Sequence, residues 1–494
     1  MTTKLLVRAG VIAVVCGAGA SARAQSVETL WERNCASCHG KEAQGGGAGT
    51  KSFLTDEYRK REYDRLFFDA IREGKADMGM SAFGETLSNE QIWGLVNHIR
   101  MLQDQAFRKG GGGPKRGSDG VYASKHASYK VEDVVRGLST PWSVEFLADG
   151  EMLIAERPGT LRVWKDGKLS EPVKNVPKSR ETGQGGMMDI AVHPDYAKNG
   201  LIYLTFTQEI DEHPGKQDGH RGTHTVVVRG TIADGVWTTD KTVWQAKPEH
   251  YMRSGLHFGS RIVWGEVIDG KRELYFCLGE RGQANQAQDL GNPNGKVHRI
   301  FDDGSVPKDN PFVATEGAYA SIWSYGHRNP QGLVRDLAGN LWDTEHGPRG
   351  GDELNAVVKG ANYGWPLVSY GIEYNGSPTR VPWADVAGER ARGKTIVNPV
   401  DVWLPSVGVC GLDVSTGGVF GAWKGDLFAG GLAGESVDRF RLAKDDAGAW
   451  KVVEREEILR GLGRVRDVRT GPDGAIYVAL NGPDKVVQIV PAGK

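Results

Sequence analysis

Ser324–Pro366 reads SYGHRNPQGLVRDLAGNLWDTEHGPRGGDELNAVVKGANYGWP. Two clusters rich in Gly, Pro, Asn and charge flank a short strand-like piece, Gly339-Asn340-Leu341-Trp342. Turn residues at that density put polar side chains and bare backbone on connections rather than in a core. Arg328, Asn329 and Gln331 offer a cation and amides to an anionic, ring-shaped ligand, and the carbonyls of Gly347 and Pro348 suit a hard cation. The plainer alternative is two polar loops of a β-protein.

Outward from this stretch, the region from Tyr129 onward repeats short alternating strands with Asp-Gly and Asn-Gly turns. Examples are Ser143 to Leu147, Met152 to Glu156, Leu161 to Trp164, Ile202 to Thr207, Glu273 to Leu278 and Ile476 to Leu480. The 69 glycines suit many tight turns, and no helical period is sustained there. Regular short strands indicate a sandwich, barrel or propeller, and about 365 residues fit six blades.

The first quarter differs. Lys4 and Arg8 precede an apolar run, Ala9 to Ala20, and then Ala22-Arg23-Ala24. These are the parts of a signal peptide over 1–24, cleaved after Ala24, with no membrane span left in the mature chain. The expected location is periplasmic or secreted. Cys35-Ala36-Ser37-Cys38-His39 follows, the C-x-x-C-H pattern of c-type haem attachment. Two thiols at that spacing bond the two vinyl groups, and His39 reaches the iron. A redox dithiol or a zinc site is the alternative.

Gly79-Met80-Ser81-Ala82-Phe83-Gly84 resembles the Met-bearing loop of small c-type cytochromes, with Ser81 where Pro is usual. Met80 is the expected sixth ligand, Met78 a packing residue and His98 a weaker rival. Helices are expected over Val27 to Asn34, Tyr63 to Glu73 and, capped by Ser88, Asn89 to Gln103. This all-α domain spans 25–104. A Gly-rich linker, 105–128, reads as flexible, tethering two separately folded domains without fixing their geometry.

Composition narrows the partners. With 61 Lys plus Arg against 62 Asp plus Glu, the net charge of −1 gives no case for nucleic acid or an anionic membrane surface. Five cysteines in 494 residues are no disulfide scaffold; Cys277 and Cys410 are the mature ones outside the haem motif, and a bridge between them stays open.

HRNPQGL, EHGPRGGDELN and NYGWP, in this order, resemble the soluble PQQ-dependent glucose and aldose sugar dehydrogenases, a likeness running from about Val131 to the C-terminus. The resemblance implies a six-bladed β-propeller over 129–494 with its site at one mouth of the central channel, and an enzyme oxidising an aldose at C1 to a lactone. His257, in His257-Phe258-Gly259-Ser260-Arg261, takes the place of the general base, and Glu280 that of the acid orienting it. Gln184, Arg328, Asn329, Gln331, Arg464 and Arg466 fall where the family contacts PQQ. Gly347 and Pro348 would complete a Ca²⁺ held by the cofactor, and Glu353 with the Tyr363 carbonyl a second, structural Ca²⁺.

One departure stands out: Ala433 occupies the position of a family Lys that contacts PQQ. Electrons would pass from PQQ to the haem and on to an external respiratory acceptor. Other readings are a dehydrogenase of another sugar-derived alcohol or aldehyde, a binding propeller with a lost quinone site, and a calcium lactonase, for which the channel lacks the expected acidic ligands.

Overall fold

The computed structural model describes residues 25–46, 50–147, 150–211 and 221–493. The signal-peptide reading lies outside the described residues. Among the described residues no helix is long and apolar enough to cross a membrane.

Residues 25–109 form the helical domain. Helix α1 (Val27–Asn34) starts at Ser26, whose hydroxyl accepts from the Thr29 N–H. Helix α2 (Ala36–His39) carries the second cysteine and the histidine of the attachment motif. Helix α3 is Tyr63–Glu73. Helix α4 begins at a capping box between Ser88 and Gln91. It ends at Lys109 rather than Gln103, because no breaker interrupts the chain before Gly110. Arg100 and Asp64 form a buried pair at 2.6 Å that ties α4 to the chain at α3.

Six antiparallel sheets make up the remainder, so the propeller with six blades is observed. Blade 1 runs from Pro141–Phe146 outward, blade 2 from Met187–Val192 and blade 3 from Ile262–Ile268. Blade 4 runs from Pro330–Arg335, blade 5 from Val409–Val414 and blade 6 from Arg464–Thr470. These innermost strands pack side by side in a ring. The ring is closed in blade 6, where Ser128–Val135 pairs antiparallel with Lys485–Pro491 near the C-terminus. Joining the two ends of the propeller in one sheet locks the ring shut. The motif Pro330-Gln331-Gly332-Leu333 is therefore the start of an inner strand, not an exposed loop.

Segment 105–128 departs from the expected free tether. Arg108, in the last turn of α4, makes two parallel hydrogen bonds to Glu457, at 2.9 and 2.8 Å. Tyr122–Ala123 adds a short edge strand to blade 6, and the Lys125 N–H donates to Glu456. A glycine run predicts freedom only until distant partners fix it.

The helical domain does not stand off. Its apolar core continues into the propeller: Phe68, Trp93 and Ile92 share one cluster with Tyr370, Val381 and Val402. Trp383 lies edge-on to both Trp93 and Phe68, at 5.1 and 5.3 Å. The propeller residues come mainly from the long excursion 358–400, between the third and fourth strands of blade 4.

Candidate active site

Each blade starts at its inner strand, so the segments entering those strands share one mouth of the channel. Gln184 precedes the inner strand of blade 2, His257 that of blade 3, and Arg328 with Asn329 that of blade 4. Arg464 and Arg466 open the inner strand of blade 6, where a bulge between Val465 and Asp467 breaks the regular alternation. Glu280 follows the second strand of blade 3.

His257 is held from several sides. Its backbone adopts φ +51°, a left-handed conformation rare for a non-glycine residue. The Gln184 side-chain oxygen accepts the His257 N–H at 2.8 Å and fixes that backbone. Its Nδ1 lies 2.8 Å from Glu280 Oε1, with both side chains buried. Gly279 lets the strands meet here, since a Cβ would fall 2.4 Å from the His257 carbonyl oxygen. Burial lowers the His257 pKa, Glu280 counters it and Arg328 reinforces it, leaving the value below the ordinary 6.5. The imidazole is thus neutral at pH 7, with Nδ1–H committed to Glu280 and Nε2 left to accept a proton.

Asn329 and Gln331 join blades 3 and 4 at the mouth. Asn329 Oδ1 accepts from the Gly259 N–H at 3.2 Å, and Gln331 Nε2 donates to the Gly259 carbonyl at 3.2 Å. Arg466 donates to Gln331 Oε1 at 3.1 Å. The Arg328 guanidinium reaches the His346 carbonyl at 3.1 Å and lies 5.3 Å from the Trp365 ring centre. Among the described residues Arg328, Arg464 and Arg466 have no carboxylate within ion-pair distance. Arg464 stands exposed at the rim.

Ala433 is exposed, its N–H donating to the Val407 carbonyl at 2.7 Å.

Three buried nitrogens, Arg328 Nε, His346 Nε2 and Trp365 Nε1, have no hydrogen-bond partner. Arg328, His346 and Trp365 line one cavity with Gly347, Glu353 and Tyr363. The guanidinium groups of Arg328, Arg464 and Arg466, without a carboxylate partner, suit an anionic polycarboxylate such as PQQ. The Gly347 and Pro348 carbonyls accept no hydrogen bond among the described residues, which leaves both lone-pair sets to a hard cation.

Glu353 is pushed well above the carboxylate range by burial and by Glu345. That is a site where a cation would restore the charge balance. Sequence reasoning missed what stands beside it: His327 Nδ1 lies 3.2 Å from Glu345 Oε1 and 3.3 Å from Asp343 Oδ2, a buried cluster able to hold a metal. The spacing D-x-E on one strand was the available signal, since alternate residues share a face.

Cys410 was also missed as a site residue. It is a free thiol 3.5 Å from Gln331 Oε1 and 3.6 Å from Arg466 Nη1, while Cys277 bonds the Pro330 carbonyl, so no disulfide joins them. Beneath the mouth, Arg261 pairs with Asp189 at 3.0 Å and Asp467 at 2.8 Å. Gln286 and Gln288, in the loop after Glu280, are engaged with Asn294 and Asn362.

In the helical domain Cys35 and Cys38 are free thiols, and His39 stacks on Phe53 at 4.8 Å with its Nδ1 buried and unpartnered. That donor set fits covalent haem. Met80 packs at the edge of the helical core. Met78 is not a packing residue: it is 76% exposed, because Ala76–Met78 forms an outward 3-10 turn. His98 is buried, 5.5 Å from Trp31.

A buried acid–imidazole pair at the mouth of a propeller, joined to a domain with a haem-attachment motif, defines a redox protein of two parts. The family model described as Glucose / Sorbosone dehydrogenase matches residues 138–488, and the chain belongs to that family of oxidoreductases. The model for Cytochrome C oxidase, cbb3-type, subunit III matches residues 22–99. The aldose sugar dehydrogenase YliI of Escherichia coli (strain K12) is 41% identical over 71% of this chain and 90% of its own length. A solved glucose dehydrogenase aligns at TM-score 0.65 and 37% identity, over 74% of this chain and all of that one. The PQQ-bound aldose sugar dehydrogenase of Streptomyces coelicolor aligns at TM-score 0.56 and 25% identity, over 74% of this chain and 98% of that one.

Proposed function

We propose that the chain is an exported PQQ-dependent dehydrogenase that oxidises aldose sugars at C1 to lactones and delivers the electrons to its own c-type haem. The observation that carries this reading is the His257–Glu280 pair, held beside guanidinium groups that have no protein counter-charge. Bound PQQ would supply the two-electron acceptor, with Ca²⁺ polarising it.

His257 Nε2 takes the proton from the sugar hydroxyl. Glu280 keeps the proton on Nδ1 and stabilises the imidazolium as it forms. Gln184 keeps the His257 backbone in its unusual conformation. Arg328, Asn329, Gln331, Arg464 and Arg466 would bind and orient the cofactor. Gly347 and Pro348 would hold its calcium, and Glu353 and Tyr363 a second ion. In the helical domain Cys35 and Cys38 would attach the haem, with His39 and Met80 as axial ligands. A cleaved signal peptide over 1–24 would place the protein in the periplasm or outside the cell, where an external one-electron carrier would collect the electrons.

The test is dye-linked oxidation of a panel of aldoses, with and without PQQ and Ca²⁺. The reading requires turnover that depends on both, yields lactone and is lost in His257→Ala. Turnover of other alcohols or aldehydes alone would move the substrate class, and no turnover with any of them would end the reading.

A further inference from the structure

The haem domain is seated on the wall of the site itself. Trp93 and Asn97, one turn apart on α4, both donate to the carbonyl oxygen of Tyr370, at 3.1 and 3.0 Å. Both are buried, and the Trp93 and Tyr370 rings meet edge-on at 6.0 Å. Tyr370 belongs to the stretch that backs the Gly347-Pro348 loop. Arg349 and Ile372 exchange backbone hydrogen bonds at 2.9 and 3.0 Å. Gly371 lies so close to Pro348 that a Cβ would fall 2.8 Å from its ring, and a Cβ on Gly350 would fall 3.1 Å from Asn97 Oδ1.

On the other side of α4 the contacts continue toward the haem ligand. His98, next to Asn97, is 5.5 Å from Trp31, and Trp31 is 6.3 Å from His39. The outer rim is fastened by charge: Arg349 to Glu28 at 3.0 Å and Arg108 to Glu457 at 2.8 Å. The Val27 N–H also donates to the Gly376 carbonyl at 3.0 Å.

Taking the dehydrogenase reading as given, we propose that the Trp93–Asn97–Tyr370 seam is the fixed crossing by which electrons leave the cofactor pocket for the haem. The cytochrome domain is then a docked acceptor, not one that swings on a tether. Each sugar oxidised releases two electrons and two protons. The protons go to solvent. A haem held by Cys35, Cys38 and His39 would take the electrons one at a time, and an external one-electron carrier would collect them. Trp93 and Asn97 are positioning residues: they hold two sites in register and touch neither sugar nor cofactor.

The test uses full-length, haem-loaded protein supplied with PQQ and Ca²⁺, comparing the parent with Trp93→Phe and Asn97→Leu. A soluble two-electron dye reports sugar oxidation directly, and stopped-flow absorbance reports haem reduction. The expected result is unchanged dye reduction and haem potential, with haem reduction slowed by about tenfold or more as docked transfer gives way to tethered encounter. Amide exchange adds a readout independent of turnover: the Arg349 and Ile372 N–H groups should be protected in the parent and less so in the variants. Unchanged haem reduction in both variants, or free exchange at these amides in the parent, overturns the proposal while leaving the dehydrogenase intact. A parent that reduces neither dye nor haem with any sugar removes the dehydrogenase reading, and the conduit with it.

Discussion

Replacing Glu280 by Gln removes one charge from the site and little volume. Glu280 Oε1 sits 2.8 Å from His257 Nδ1 in a buried setting, so the bond is charge-assisted and poorly screened. A hydrogen bond to a charged group contributes about 1.5–3 kcal/mol, and this one strengthens as the imidazolium forms. Losing that amount from the transition state lowers kcat/KM by about 10- to 100-fold. The pH profile adds a sign. Burial holds the His257 pKa down and Glu280 lifts it part of the way back. Without the carboxylate the value falls further, so the acidic limb of kcat/KM moves to lower pH while the plateau drops. Initial rates of dye reduction across pH, with one aldose, measure both. A limb that moves to higher pH, or a plateau equal to the parent's, would refute the assignment of Glu280 as the partner of the base.

Arg261→Met leaves the buried Asp189 and Asp467 to share one remaining cation, Arg469, and should cost about 3 kcal/mol, the low end for breaking a buried pair, in denaturant unfolding of the propeller. Ala433→Lys places an ammonium at an exposed position of the mouth and should tighten PQQ binding about tenfold or more by fluorescence titration, the scale of one charge-assisted contact. Met80→Ala should leave the haem covalently attached while lowering its reduction potential, because thioether ligation raises it; an unchanged potential in spectroelectrochemistry would move the sixth ligand elsewhere.

Local signals were legible, and non-local ones were not. Ser88 announced α4 because a capping box is written within four residues. The turn glycines and alternating strands announced short antiparallel strands for the same reason, while the six-bladed propeller came from the family resemblance. The partnership of His257 with Glu280 was reachable only through the family resemblance, since two blade-3 loops separated by 23 residues carry no joint signature. The docking was hidden in α4 itself. Ile92 through Arg100 are all buried, yet a helical stripe accounts for one covered face. The second face meets Tyr370, 277 residues from Trp93. The glycine run 110–113 read as slack because Arg108 finds Glu457 only in the folded chain. Cys410 entered the sequence reading only as a possible disulfide partner of Cys277, yet the fold aims it at Gln331 and Arg466.

The account rests on sugar electrons reaching the haem. Full-length protein with oxidised haem, PQQ and Ca²⁺ should be mixed with an aldose and its visible spectrum followed. Ferrous bands that grow in the parent and not in His257→Ala are the predicted result. A haem that stays ferric with every aldose, yet is reduced at once by dithionite, would contradict it.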